Sequence, residues 1–323
     1  MKTIAVLDDY QNVALNHGAW DKLTGRALIK QFNRHIGSEA DLANALADAH
    51  VIVCNRERTK ITKSLLEKLP KLELIVTFGM RNASIDIEAA IARGITVCGT
   101  ATLGYPTAEL TWALILGFAR HLPQEVNSLA KNGWQTQVGT GVRGKTLGII
   151  GFGRIGGDVA KVGQAFGMKV IAWSRSLTPE KAAEKGVECV TREELLKRAD
   201  VASIHLQLTK ETRGLIGAKE FAMMKPTALI VNTSRAPIID TTAMIAALKS
   251  GQIGGAALDV YDHEPLPADD PIRSAPNTLL SPHLGYVIGE NYDTTYGQSV
   301  ENILAWLDGK PIRVIDPNAP AGH

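Results

Sequence analysis

Short apolar runs alternate with amphipathic stretches along most of the chain. In the first hundred residues, Thr3–Leu7, Ala27–Phe32, Val51–Cys54, Leu74–Thr77 and Thr96–Cys98 are partly β-branched runs that predict strands. Between them, Ser38–Ala49 and Thr62–Lys68 carry helical spacing, and another helix begins near Ile87. Ser38 and Thr62 stand where a side-chain oxygen can accept from free first-turn amides, and Gly94 stands where a helix can end. Strands separated by helices predict a parallel sheet with right-handed crossovers.

The alternation breaks at the turn-rich segment 99–106. Thr107–His121 follows as a long helix apolar on most sides, the pattern of a helix buried between domains or subunits. A second series begins at Lys145. Its strands are expected at Thr146–Ile150, Lys169–Trp173, Val201–His205, Ala228–Asn232, Ala256–Val260 and, shorter, Thr278–Leu280. Its helices are expected at Ile155–Phe166, Arg192–Arg198, Lys219–Met224 and Asp240–Ser250, with Asn291–Leu307 a final amphipathic helix. The two series predict an α/β protein of two doubly wound parallel-sheet domains with an active-site cleft between them. No sequence repeat links them.

Composition narrows the function classes. The 323 residues, 45% hydrophobic and 21% charged, suit about two domains at roughly 150 residues each. Thirty-five basic against 33 acidic residues leave no footprint of a nucleic-acid binder or a polybasic membrane anchor. Asp8 and Asp9 interrupt the N-terminal apolar run too early for an export signal, and the apolar stretch Leu110–Ala119 is about half the ~20 residues a bilayer requires. A soluble, cytoplasmic protein is expected. Cys54, Cys98 and Cys189 lie far apart without a CxxC pair, which argues against a zinc ribbon or a disulfide scaffold. No His/Cys/carboxylate cluster has metal-ligand spacing, so no metal is expected.

The sharpest local signal is Gly151-Phe-Gly153-Arg154-Ile155-Gly156, which follows an apolar run and opens a helical one. In that context Gly151 permits a tight turn, Gly153 lets the backbone approach a pyrophosphate, and Gly156 lets helix and strand pack closely. The alternative is a plain strand-to-helix turn. The next strand ends in Trp173-Ser174-Arg175-Ser176, without the carboxylate that normally binds a ribose 2′-hydroxyl. A guanidinium flanked by hydroxyls suits a 2′-phosphate instead, so NADP(H) is the preferred cofactor and NAD(H) the alternative. A solvated surface arginine is the competing reading of Arg175.

With these residues located, the chain resembles the D-isomer-specific 2-hydroxyacid dehydrogenases. The resemblance extends to Val231-Asn-Thr-Ser-Arg235, to Ala257-Leu-Asp259-Val-Tyr-Asp-His-Glu264-Pro265 and to Ser281-Pro282-His283. It implies a Rossmann cofactor domain at 101–290 and a flavodoxin-like substrate domain built from 1–100 and 291–323. It also implies a catalytic set of Arg235, Glu264 and His283. Arg235 would hold and polarise a 2-oxo acid with parallel N–H donors, and His283 would exchange a proton with the reacting oxygen. Glu264 would orient the imidazole and favour its charged form. Taken singly, each has a structural alternative: a helix cap, a solvated loop acid, a turn histidine. The resemblance further places Asp259 against the nicotinamide carboxamide, although an acid at a strand end can equally cap a loop, and places Thr107, Thr233 and the backbone around His205 along the cofactor. His263 does not occupy the family's acid/base position.

Two departures stand out. Ala236 follows Arg235 where the family usually has glycine, which leaves the local turn geometry open. Arg81 occupies the place of a second glycine in the substrate loop Phe78-Gly79-Met80-Arg81, whose backbone amides would hold the substrate carboxylate. Arg81 either adds a cation that favours a second anionic group on the substrate, or points to solvent or into an ion pair. Met80 and Arg58 are further candidates for the pocket wall. The resemblance therefore implies NADPH-linked reduction of a small glyoxylate- or hydroxypyruvate-type 2-oxo acid to the D-2-hydroxy acid, by a homodimer. The alternatives are an oxidative, phosphoglycerate-like dehydrogenase using NAD and a non-catalytic nucleotide-sensing protein of the corepressor kind.

Overall fold

The computed structural model describes residues 1–317. The substrate-domain assignment of 318–323 lies outside the described residues. The chain forms two compact units, one from Met1–Leu103 with the chain from Val287 onward, the other from Gly104–Tyr286.

The first unit begins with five strands, β1 (Lys2–Val6), β2 (Ala27–Gln31), β3 (Val51–Cys54), β4 (Leu74–Thr77) and β5 (Thr96–Gly99). All pair in parallel in the order β2-β1-β3-β4-β5, the flavodoxin-like arrangement. β3 and β4 are buried at every position, as strands covered on both faces must be. Helices α1 (Glu39–Leu46), α2 (Lys63–Glu67) and α3 (Ile87–Ala92) supply part of that cover, with Leu42, Leu46, Leu65 and Leu66 in the core. Ser38 and Thr62 cap the first two helices by accepting from Asp41 N and Leu65 N, and Gly94 follows the third at φ +75°.

The second unit carries α4 (Tyr105–Ala119), α5 (Leu122–Ala130), β6 (Thr146–Ile150), α6 (Arg154–Ala165), β7 (Lys169–Trp173), α7 (Pro179–Ala183), β8 (Glu188–Cys189), α8 (Arg192–Arg198), β9 (Val201–Ile204), α9 (Ala218–Phe221), β10 (Leu229–Asn232), α10 (Thr241–Lys249), β11 (Gly255–Leu258) and β12 (Thr278–Leu280). The seven strands run parallel in the order β12-β11-β10-β9-β6-β7-β8. Strand order reverses between β6 and β9, the switch point at which doubly wound sheets bind ligands. Alternate residues feed the two faces: Leu147, Ile149, Val201, Val231 and Ala257 pack beneath α4, while Ile150, Ala202, Ile204, Ile230 and Leu258 pack on the opposite side. The chain then returns to the first unit as α11 (Gly289–Leu307), where the buried Tyr296 meets Phe78 edge-on at 5.0 Å.

Three features differ from the sequence expectation. β8 and α7 were not foreseen, because two and five residues are too short to establish a period. The long apolar helix is buried within its own unit: α4 packs on α6 and on β10, β11 and β12. It also ends earlier, at Ala119, because His121 takes a left-handed conformation (φ +49°) and α5 starts afresh. α5 buries no residue at all.

Candidate active site

The glycine turn joins β6 to α6 at the switch point. Gly151 has φ +101°, and a Cβ there would stand 2.5 Å from the His205 carbonyl oxygen at the end of β9. A Cβ on Gly156 would collide with the Gly151 carbonyl, whereas one on Gly153 would meet nothing. α1, α2, α3, α7, α8 and α10 are each capped by the side-chain oxygen of the N-cap residue, whereas α6, like α4, α5, α9 and α11, is not. Its first amides, with Arg154 and Ile155 in the opening turn, have no intrahelical acceptor. A close backbone cradle with an uncapped, positive helix end fits a dinucleotide pyrophosphate. The Arg154 guanidinium packs on Gly104, where a Cβ would displace it.

β7 ends at Trp173, followed by the half-buried Ser174 and the exposed Arg175 and Ser176. Arg192 lies 5.9 Å over the Trp173 ring. Glu211 carries a lowered carboxyl pKa, chiefly through a hydrogen bond from Thr209, with the positive charge of Arg175 contributing. No carboxylate takes the ribose-binding position at the strand end itself.

Arg235, Glu264 and His283 follow β10, β11 and β12, three adjacent parallel strands, and so share one sheet edge. His283 Nδ1 lies 2.7 and 2.9 Å from the two Glu264 carboxylate oxygens. Glu264 is itself held by the Tyr261 amide (2.9 Å), and the Tyr261 hydroxyl donates to the Ser281 carbonyl (2.9 Å), tying the two loops together. Burial pushes the Tyr261 hydroxyl pKa up, so it remains a donor. The Arg235 carbonyl accepts from Asn232 Nδ2 (3.0 Å), and Arg235 Nη1 donates to the Ser234 carbonyl (2.8 Å). Ala236 opens a short 3-10 turn through Ile238 without a left-handed conformation, so the missing glycine imposes no backbone strain. His263 is exposed beside Glu264.

His283 adopts φ +54°, an unfavourable region for a histidine. Asp259, 1% exposed, holds it there: Oδ1 accepts from Ser281 Oγ (2.6 Å) and Leu284 N (2.7 Å), and Oδ2 from Gly285 N (2.9 Å). Burial raises the Asp259 pKa, offset by these donors. The same carboxylate thus clamps the histidine turn. Thr107 serves the same turn, its hydroxyl donating to the Gly285 carbonyl (2.9 Å), and Thr233 pairs with Thr111 (2.9 Å). Spacing alone could not reveal this clamp, because Asp259 and Ser281 come together only through strand pairing.

His205 Nε2 lies 2.9 Å from Ser203 Oγ, and its Nδ1 is buried without a partner. Burial pulls its pKa down to about 4. The unfolded chain therefore takes up this proton first as pH falls, and stability is lost between about pH 6.5 and 4, by about 3 kcal/mol in all. His205→Asn is expected to flatten that part of the acid slope in urea unfolding at pH 7 and 4.5; an unchanged slope contradicts the assignment.

In the first unit, Gly79 turns after β4 at φ +84°, but its amide is committed to Thr100 Oγ1 (3.2 Å) rather than presented to a ligand. Met80 is half-exposed and Arg81 exposed, with no ion pair to Arg81 among the described residues. Asn82 Nδ2 donates to the Arg56 carbonyl (2.6 Å), and Arg56 Nη1 lies 3.7 Å from the Gly79 Cβ position, a proximity not anticipated. Arg58 is buried. It lies near His35, whose pKa is raised by a hydrogen bond to Asp8. Asp8 also accepts from Thr59 Oγ1 (2.6 Å), in a polar network that sequence reading missed.

Among the described residues, no helix is long and apolar enough to cross a membrane, and no cluster of three or more His, Cys, Asp or Glu residues could hold a metal ion.

The sequence model of the D-isomer specific 2-hydroxyacid dehydrogenase NAD binding domain matches residues 112–285. A glyoxylate reductase of Thermococcus litoralis is 42% identical over 270 residues, 80% of each chain. A D-3-phosphoglycerate dehydrogenase of Methanocaldococcus jannaschii is 41% identical over 252 residues, 77% of this chain and 48% of that one. The crystal structure of an oxidoreductase from Ralstonia solanacearum aligns with a TM-score of 0.93 at 37% identity, covering 99% of both chains. The chain belongs to the D-isomer-specific 2-hydroxyacid dehydrogenase family and is a nicotinamide-dependent dehydrogenase.

Proposed function

We propose that this enzyme reduces a small 2-oxo acid of the glyoxylate or hydroxypyruvate type to the D-2-hydroxy acid, with NADPH preferred and NADH the alternative. The His283–Glu264 pair, 2.7 Å apart, supports the reading, together with Arg235 following the neighbouring strand β10. Arg235 binds the substrate carboxylate and polarises the neighbouring carbonyl. When bound, the reduced nicotinamide supplies the hydride. His283 donates the Nε2 proton to the carbonyl oxygen, and Glu264 on Nδ1 offsets the charge the ring carries beforehand. Carbonyl, hydride and proton together make the hydroxyl-bearing carbon. Gly151, Gly153, Arg154, Ile155 and Gly156 hold the pyrophosphate, while Thr107, Thr233, His205 and Asp259 shape the nicotinamide end. Gly79, Met80 and Arg81 form the substrate-recognition turn, and the exposed Arg81 favours a substrate with a second anionic group.

The phosphoglycerate dehydrogenase relatives favour one further reading, oxidation of a D-2-hydroxy acid, in which His283 acts as the base. Steady-state turnover of a 2-oxo and 2-hydroxy acid panel with both cofactors decides between them. Cofactor binding without any turnover would instead support the sensor reading.

NADPH preference rests on the exposed Arg175 at a strand end without a carboxylate. Arg175→Ala is expected to lower kcat/KM for NADPH at least tenfold more than for NADH. Equal losses with both cofactors refute the assignment.

A second copy of the chain is the proposed cover for α5 and the segment after it, where Leu122, Val126, Leu129 and Trp134 are 56%, 58%, 60% and 76% exposed. Glu125 fixes that segment by accepting from the amides of Thr136 and Gln137 (2.9 and 2.7 Å). Sedimentation at micromolar concentration reads the dimer; a monomer there excludes it.

A further inference from the structure

We propose that Gly99 is a positioning residue for substrate recognition: the missing side chain at the end of β5 leaves the space into which the Gly79–Met80 turn settles. The inference rests on the reading that this turn contacts the 2-oxo acid. A Cβ on Gly99 would stand 2.7 Å from the Gly79 carbonyl oxygen, 2.7 Å from Met80 Sδ and 2.9 Å from Met80 Cα. Two of these three atoms are backbone and cannot swing aside as a side-chain end can. Gly99 does not have a left-handed φ, unlike Gly79 at +84°, so position 99 needs glycine for room and not for conformation.

The strand end cannot yield in place of the turn. The Gly99 amide donates to the Arg313 carbonyl (2.9 Å), and its carbonyl accepts from Asn302 Nδ2 (2.8 Å). Arg313 Nη1 closes the bracket on Asn302 Oδ1 (3.0 Å). The turn is anchored to the residue after Gly99 through Gly79 N and Thr100 Oγ1, at 3.2 Å. A methyl group at 99 therefore lifts the turn, and with it the amides of Met80 and Arg81, away from their present position. A displacement of about an ångström at a recognition element is enough to cost roughly a hundredfold in an enzyme.

Gly99→Ala is expected to raise KM for glyoxylate or hydroxypyruvate at least tenfold, with kcat less affected. The NADPH Kd, read by quenching of protein fluorescence, should stay within twofold. Gly37→Ala, at a glycine with nothing within 4 Å, should leave both unchanged. Because one of the three contacts is Met80 Sδ, adding Met80→Ala to Gly99→Ala should recover part of the loss. An unchanged KM in Gly99→Ala overturns the proposal, and so does a parallel loss of cofactor affinity. Should Gly99→Ala alone not fold, the double variant is compared with Met80→Ala, and equal KM values overturn it. If Met80→Ala and Arg81→Ala change KM but Gly99→Ala does not, only this inference falls. If none of the three changes KM, the assignment of the turn to substrate falls as well.

Discussion

Replacing His283 with asparagine is expected to lower kcat for 2-oxo-acid reduction by roughly a hundred- to ten-thousandfold, the usual worth of a positioned general acid. Asparagine keeps a polar side chain and favours left-handed backbone, so the turn at φ +54° and its clamp by Asp259 should persist. The loss should therefore appear in kcat, with the NADPH Kd unchanged. Glu264→Gln should cost less, because the amide can still accept a hydrogen bond at Nδ1 but no longer offsets the imidazolium charge. The double variant should be little worse than His283→Asn alone, since both residues act on one proton. Rapid-mixing measurement of a single turnover separates this chemistry from product release. A loss below tenfold in His283→Asn removes the histidine from the acid role.

Replacing Arg235 with lysine is expected to lower kcat/KM for the 2-oxo acid by roughly a hundred- to a thousandfold, about 3–4 kcal/mol. Lysine keeps the charge but not the planar fork that grips carboxylate and carbonyl together. Most of the loss should fall on KM, with a smaller share on kcat as carbonyl polarisation weakens. The hold of Asn232 on the Arg235 carbonyl (3.0 Å) is retained by lysine, while the guanidinium contact to the Ser234 carbonyl (2.8 Å) is given up. Steady-state kinetics with saturating cofactor reads the split. If lysine preserves kcat/KM within fivefold, the bidentate role is wrong.

The longer elements were legible because their periods repeat. β3, β4, β6, β7 and β12 occupy the residues that the apolar runs mark, and Ser38 and Thr62 cap the helices they precede. The tight strand-to-helix turn was legible in Gly151 and Gly156, whose spacing encodes close backbone approach. What escaped was either too short for a period, as β8 and α7, or dependent on partners remote in sequence. Nothing near Gly99 reveals that Met80 lies against it or that Arg313 accepts from its amide, and nothing near Asp259 reveals that it restrains a turn 24 residues later. The long helix was misread for a related reason: hydrophobicity predicts that α4 is covered, but not that its own sheet covers it. The exposed side of α5 looks unremarkable in sequence because Leu122, Val126 and Leu129 have the spacing of any buried helical face.

The central chemical claim is tested most directly by following one labelled hydrogen. NADPH deuterated at the transferable position of its nicotinamide is incubated with enzyme and hydroxypyruvate, and the product is examined by mass spectrometry and chiral chromatography. The expected product is D-glycerate carrying one deuterium at carbon 2, formed by the wild type and not by His283→Asn on the same timescale. Unlabelled product, the L-isomer, or tight NADPH binding with no product would contradict it.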